Sequence, residues 1–271
     1  MAIKLILTDI DGTILPRGQR AVSPRTVAAF HAALGAGIFV GPASGRGYAW
    51  IPDFFGGDAA CCATALATNG MQVYVQGKKV MEQTLPPAAL ERVRQIVAET
   101  PRAGLLVFDE LTPLLVAGSV ADLAVAFPSY AEKCVVTEGL PDFDVVKANV
   151  FVGTCADDAA RLVARLNAEV TELDVDRALP TYSNVQPRGW NKGAAVRWLA
   201  ERLGVGLDEV VVFGDADNDL PMLTAVPNSV AVAGATPEAV ATARWHVGAC
   251  EDDAVAAAIE ALAAGAWPFE A

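Results

Sequence analysis

Asp9 and Asp11 sit two residues apart at the end of a short apolar run, Ile3 to Leu7, and are followed at once by Gly12 and Thr13. In an extended chain residues i and i+2 share a face, so both carboxylates point into one crevice at the strand's end. Two acids crowded there repel, and the pair calls for a cation, a shared proton, or both. The plain alternative is turn chemistry closing a strand, since Asp and Gly favour turns. Three more aspartates and an asparagine follow a second apolar run, in Val210-Val211-Val212-Phe213-Gly214-Asp215-Ala216-Asp217-Asn218-Asp219. This resembles a calcium loop for three positions. An EF-hand needs Gly at its sixth position and Glu at its twelfth, where Leu220 and Val226 stand, so that reading fails.

If the two runs are neighbouring strands, Asp9, Asp11, Asp215 and Asp219 converge on one cleft. So many carboxylates out of water need a counter-charge. A small number of oxygen ligands favours Mg²⁺, which keeps waters and binds phosphate oxygens alongside one or two carboxylates. Lys192, in Asn191-Lys192-Gly193, opens a helix, where the dipole disfavours a cation. A lysine there makes sense if it meets an anion in the same cleft; taken alone it reads as a snorkelling surface residue. Ser44-Gly45-Arg46, after the apolar stretch Gly37 to Pro42, suits an oxyanion because the hydroxyl and free N–H groups donate. An ordinary N-cap serine is the competing explanation.

The elements that must position these residues follow from pattern. Strand, helix, strand begins with Ile3–Leu7, a helix opened by Ser23-Pro24 with an apolar stripe at Val27, Phe30, Ala33 and Leu34, and Gly37–Pro42. Cys61 to Thr68 reads as a third buried strand, and Met71–Val75 with Lys78–Gln83 as a hairpin turned at Gln76-Gly77. This is the start of a doubly wound, Rossmann-like parallel sheet, an α/β fold in which ligands bind at the carboxyl ends of strands. Composition then shifts, and Thr84 to Leu179 reads as an inserted α+β domain. The parallel pattern resumes near Thr181, with a helix from Asn191, strands at Val210–Phe213 and Ser229–Ala233, and a last helix from Ala254 that Glu251, Asp252 and Asp253 are expected to cap. The core is therefore 1–83 and 180–271, and the insertion 84–179.

Composition narrows the partners. A formal charge of −12 over 271 residues argues against nucleic acid or a membrane surface, which need basic patches. No apolar run approaches a membrane span, and Asp9 interrupts any signal-peptide core. Five cysteines form no C-x-x-C pair and read as reduced thiols of a cytoplasmic protein. Of the two histidines, His31 lies beside a helix stripe and reads as a surface or packing residue.

Asp9-Ile10-Asp11-Gly12-Thr13, Ala43-Ser44-Gly45-Arg46, Asn191-Lys192-Gly193 and Gly214-Asp215-Ala216-Asp217-Asn218-Asp219 resemble, in order, the four motifs of the haloacid dehalogenase-like superfamily, in its Cof-type form. The resemblance implies a phosphatase of a small phosphorylated metabolite, a sugar phosphate foremost, with 84–179 as a substrate-specifying cap. It makes Asp9 the nucleophile and Asp11 the general acid/base, with Ser44 and Lys192 holding phosphoryl oxygens. It places Mg²⁺ on the Asp9 carboxylate, the Asp11 backbone carbonyl and Asp215, with Asp219 orienting this shell and Asn218 hydrogen-bonding within the same metal-site loop. Gly12, Thr13, Gly45, Arg46 and Asn69 are its substrate-facing residues. A sugar phosphomutase and a non-catalytic phosphometabolite-binding protein are the alternatives; loss of Asp9 or Asp11 would mark the latter, and both are present.

Overall fold

In a computed structural model the chain is described over residues 2–176 and 179–269. It divides into two compact units, Met1–Glu82 with Asn191–Ala271, and Gln83–Trp190.

The first unit is built on a five-stranded parallel sheet. Leu5–Thr8 lies in it between Val210–Gly214 and Phe39–Pro42, and Asn228–Ala233 and Trp245–Ala249 continue the order outward. Leu5–Thr8 and Val210–Gly214 are buried throughout, as strands covered on both faces must be. Alternate residues serve opposite faces: Ile6, Val211 and Phe213 join one cluster with Phe30 of helix Pro24–Gly35 and Ile259 of helix Ala254–Ala263. Burying each such side chain contributes about 1.5–3 kcal/mol. Helix Pro24–Gly35 starts as its sequence requires, with the Ser23 hydroxyl accepting from the Thr26 N–H at 3.0 Å and Pro24 in the first turn. The doubly wound α/β core with an inserted α+β unit is thus the fold.

Three expectations are corrected. Cys61–Thr68 is not one strand: Ala59–Cys62 is a 3₁₀ turn capped by Asp58, and only Ala65–Ala67 is extended. That strand pairs antiparallel with Gln72–Val75, which pairs with Lys78–Glu82, and reaches the parallel sheet through the single bridge Ala43–Leu66. Second, the unit boundary falls at Trp190 rather than Leu179. Tyr182–Pro187 pairs antiparallel with Ala148–Val152 and Leu173–Val175, so it belongs to the second unit's sheet. Third, Asp253 precedes the last helix without a side-chain cap bond and in the left-handed region, φ 54°.

The second unit carries a six-stranded sheet in the order Leu173–Val175, Tyr182–Pro187, Ala148–Val152, Ala103–Asp109, Thr112–Ala117, Val135–Val136. Its longer helices are Pro87–Glu99 and Ala156–Glu169, each burying one apolar stripe. Among the described residues no helix is long and apolar enough to cross a membrane.

Candidate active site

Asp9 follows the Leu5–Thr8 strand, and its N–H continues the ladder to the Phe213 carbonyl at 2.9 Å. The neighbouring strand ends at Gly214, so Asp215 emerges beside it. Asp9, Asp215 and Asp219 are all buried, and one carboxylate oxygen from each lies within 4.8 Å of the others.

Lys192 completes the cluster. It is fully buried, and its Nζ donates to Asp9 Oδ1 and Asp219 Oδ1, both at 2.6 Å. The snorkelling alternative is excluded by that burial. Asn191 caps the helix by accepting from the Ala194 N–H at 3.0 Å. Gly193 explains itself sterically: a Cβ there would stand 2.2 Å from the Pro221 carbonyl oxygen. Only glycine lets the helix start close enough for Lys192 to reach the acids.

The other oxygen of Asp219, Oδ2, accepts from the N–H groups of Asp215 at 2.9 Å and Ala216 at 3.2 Å. Asp219 therefore ties Lys192 to the loop that presents Asp215. Asp215 Oδ1 accepts from the Thr13 hydroxyl at 3.0 Å. Gly12, at φ +87°, passes so close that a Cβ would sit 2.5 Å from Asp215 Oδ2.

Three carboxylates and one ammonium leave a net charge of −2 when ionised. Burial, reinforced by Asp219 and Asp215 against the pull of Lys192, holds the Asp9 carboxyl well above its usual range. Burial and Asp219 push Asp215 up to about 6. Burial lowers the Lys192 pKa, but Asp219 and Asp9 outweigh it and the ammonium is held charged. The residual charge suits a divalent cation, and an all-oxygen donor set suits a hard one.

Asp11 turns elsewhere. Its two oxygens accept from Arg46 Nε at 2.8 Å and Nη2 at 2.7 Å, and the guanidinium lies 4.8 Å from the centre of the Phe54 ring. The Asp11 carboxylate thus stands outside the buried three-acid cluster. Ser44 is buried, its N–H donates to the Leu66 carbonyl, and its Oγ accepts from the Arg46 N–H at 3.2 Å, leaving the hydroxyl proton to donate. Asn69 N–H donates to the Ser44 carbonyl, and Asn69 Oδ1 accepts from Asn218 Nδ2 at 3.3 Å. Asn218 is therefore linked to the second motif. Asp217 is exposed.

Asn69-Gly70 is a dipeptide that marks a turn by itself, but the positive φ of Thr68 before it has no local signal. Thr68, Asn69 and Gly70 have φ of 53°, 55° and 88° in succession; a β-branched residue there is an outlier, and such strain collects at functional sites. Phe55 packs in the core, its ring centre 5.2 Å from that of Phe30. Arg188 bonds to Thr171 and Asn167 carbonyls and pairs with Asp174, all within the second unit.

Residues 6–259 match the model of the haloacid dehalogenase-like hydrolases. A Klebsiella pneumoniae HMP-PP phosphatase is 30% identical over 248 residues, covering 87% of this chain and 86% of that one. The Escherichia coli 5-amino-6-(5-phospho-D-ribitylamino)uracil phosphatase YbjI is 25% identical over 276 residues, covering both chains in full. Among solved structures, the subclass IIB sugar phosphatase BT4131 superposes with a TM-score of 0.79 at 19% identity, over 95% of this chain and 98% of that one; at that identity the likeness is one of fold. The chain belongs to the haloacid dehalogenase-like hydrolase family, as a phosphatase of its Cof-type branch.

Proposed function

We propose that the chain hydrolyses a small phosphorylated metabolite, a sugar phosphate foremost, through an aspartyl-phosphate on Asp9 and with Mg²⁺. The observation that carries this is the buried Asp9–Lys192–Asp219 triad beside Asp215 at the strand ends. With Oδ1 held by Lys192, Asp9 keeps Oδ2 for attack on phosphorus, and the ester P–O bond breaks in line. Asp11 gives the leaving oxygen its proton, then accepts one from the water that cleaves the acyl phosphate. Lys192 and the Ser44 hydroxyl donate to phosphoryl oxygens, where negative charge builds.

Asp9 and Asp215 are the side chains that would hold the cation, with residue 11 contributing beside them. When bound, Mg²⁺ supplies charge neutralisation that lets an anionic nucleophile meet an anionic ester. Asp219, with both oxygens engaged, positions Lys192 and the loop 215–216.

The test is hydrolysis of an aryl phosphate with Mg²⁺ and with chelator, by wild type and Asp9→Asn. Turnover should need Mg²⁺ and vanish in the variant. No turnover by the folded protein on this ester or on a panel of sugar phosphates would sink the proposal. Transfer of the phosphoryl group only to a second sugar would make it a mutase.

A further inference from the structure

A second cluster of metal-ligating side chains lies in the first unit, away from the acids just described. His31 projects from the exposed side of helix Pro24–Gly35 and its Nε2 lies 2.7 Å from Asp58 Oδ2. Asp58 is the N-cap of the 3₁₀ turn Ala59–Cys62, and Cys61 is three residues further on. In 3₁₀ geometry residues i and i+3 eclipse, which brings Asp58 and Cys61 to one side of the turn. One nitrogen, one oxygen and one sulfur, from His31, Asp58 and Cys61, all lie within 4.8 Å of one another.

We infer that His31, Asp58 and Cys61 form a binding site for a thiophilic divalent cation of the Zn²⁺ class, with water as fourth ligand. The donor set decides the class. Imidazole, carboxylate and thiolate are zinc's usual ligands, whereas Mg²⁺ takes oxygens and bonds poorly to sulfur. Bond lengths of about 2.0–2.3 Å place tetrahedral ligand atoms about 3.3–3.8 Å apart. The His31–Asp58 pair, at 2.7 Å, therefore opens by about 0.6 Å, and the sulfur closes by about 1.3 Å at most. His31 and Asp58 have side chains 50% and 31% exposed, which gives the ion and its water a path from solvent. Cys61 is buried beneath them. Its thiol, pushed up to about 12 by burial and by the Asp58 charge, is protonated without a cation, and binding releases that proton to buffer.

Mixed ligation also separates this site from the acidic cluster: its nitrogen and sulfur disfavour Mg²⁺, which the all-oxygen cluster accepts. Occupancy here is expected to brace helix Pro24–Gly35 against the loop leading to Ala65–Ala67, and to leave hydrolysis unaffected.

The experiment is Co²⁺ titration of the reduced, intact protein with Mg²⁺ in excess, followed by absorption. One equivalent should bind with a sulfur-to-cobalt charge-transfer band, displaced by Zn²⁺. The band should vanish in His31→Ala and Cys61→Ala and survive in Cys62→Ala and Asp9→Asn. Because Cys61→Ala alters a buried position, His31→Ala is the deciding variant: its side chain is half exposed. Zn²⁺ should raise the melting temperature of wild type and not of His31→Ala. No charge-transfer band in wild type, or a band that survives His31→Ala, overturns the inference.

Discussion

Arg46 grips Asp11 through both carboxylate oxygens, at 2.8 and 2.7 Å, while its guanidinium rests on the Phe54 ring. Both side chains are close to half exposed, and a pair in such a setting contributes about 0–1 kcal/mol to stability. The geometry is thus better read as aim than as reinforcement. Asp11→Asn should lose about 10²–10⁴ in kcat, the range of one acid–base residue, and lose more on an alkyl than on an aryl phosphate. Arg46→Lys should recover only part of what Arg46→Ala loses, since an ammonium cannot bond in two parallel arms. Steady-state kinetics on the two esters, with melting temperatures as control, checks both; equal losses on the two esters would remove Asp11 as proton donor.

Lys192 is the only cation bonded to the buried acids among the described residues. Lys192→Met leaves Asp9 and Asp219 facing each other uncompensated. Breaking a buried pair from one side costs about 3–5 kcal/mol. Urea unfolding in chelator should show that loss, and Mg²⁺ should offset part of it. An identical loss with and without Mg²⁺ would argue against a cation beside these carboxylates.

Asp215 gives the metal-free protein a pH signature. Its pKa is raised by burial and Asp219 to about 6, so the folded state binds its proton more tightly than the unfolded chain. The ionised group therefore opposes folding. That penalty is absent below pH about 4, grows between about 4 and 6, and is complete above about 6, at about 3 kcal/mol for about two pH units. Asp215→Asn should accordingly gain stability over wild type on going from pH 4 to pH 7 in chelator. Mg²⁺-dependent turnover should fall as pH drops through about 6, because a protonated carboxyl is a poor ligand. Denaturant midpoints across pH read the first sign, and a gap that narrows with rising pH would contradict it.

Gly12 leaves no room for a methyl group. With φ at +87° and Asp215 Oδ2 2.5 Å from a would-be Cβ, Gly12→Ala meets both strain and collision. Stability should fall by more than the 1 kcal/mol usual for an alanine forced to positive φ, and turnover by at least about tenfold as Asp215 is displaced. Calorimetry with kinetics at saturating Mg²⁺ would check both numbers.

What could be read in advance, and what could not, divides by distance along the chain. Asp9, Asp215 and Lys192 announced themselves because each stands at an element boundary with its own local mark: a largely apolar strand before each Asp, and an Asn cap before the Lys with a glycine after it. The Arg46 grip on Asp11 joins residues 35 positions apart, and nothing local specifies a partner. Asp11 illustrates the gap, as period-two alternation put it with Asp9 while the turn at Gly12 sends its carboxylate to Arg46. Cys61–Thr68 misled because a short apolar run fits a strand or a tight turn equally, and Asp58 capped the turn. Tyr182–Pro187 has a convincing strand pattern, yet pattern is silent on which sheet a strand joins. Trp245–Ala249 alternates between half-buried and exposed residues around His246 and Gly248, too weak a signal to claim as an edge strand.

Lys192 meets Asp9 across 183 positions of chain, and the strand that delivers Asp215 ends later still, at Gly214. Contacts of such long range form late, because the intervening chain's freedom must be lost before they contribute. A polypeptide emerging from the ribosome therefore carries no assembled acid cluster until synthesis has passed Asp219. Turnover is accordingly a report on folding that has joined both segments: a truncation that spares residues 5–46 but ends before Val210 takes Asp215 and Asp219 with it.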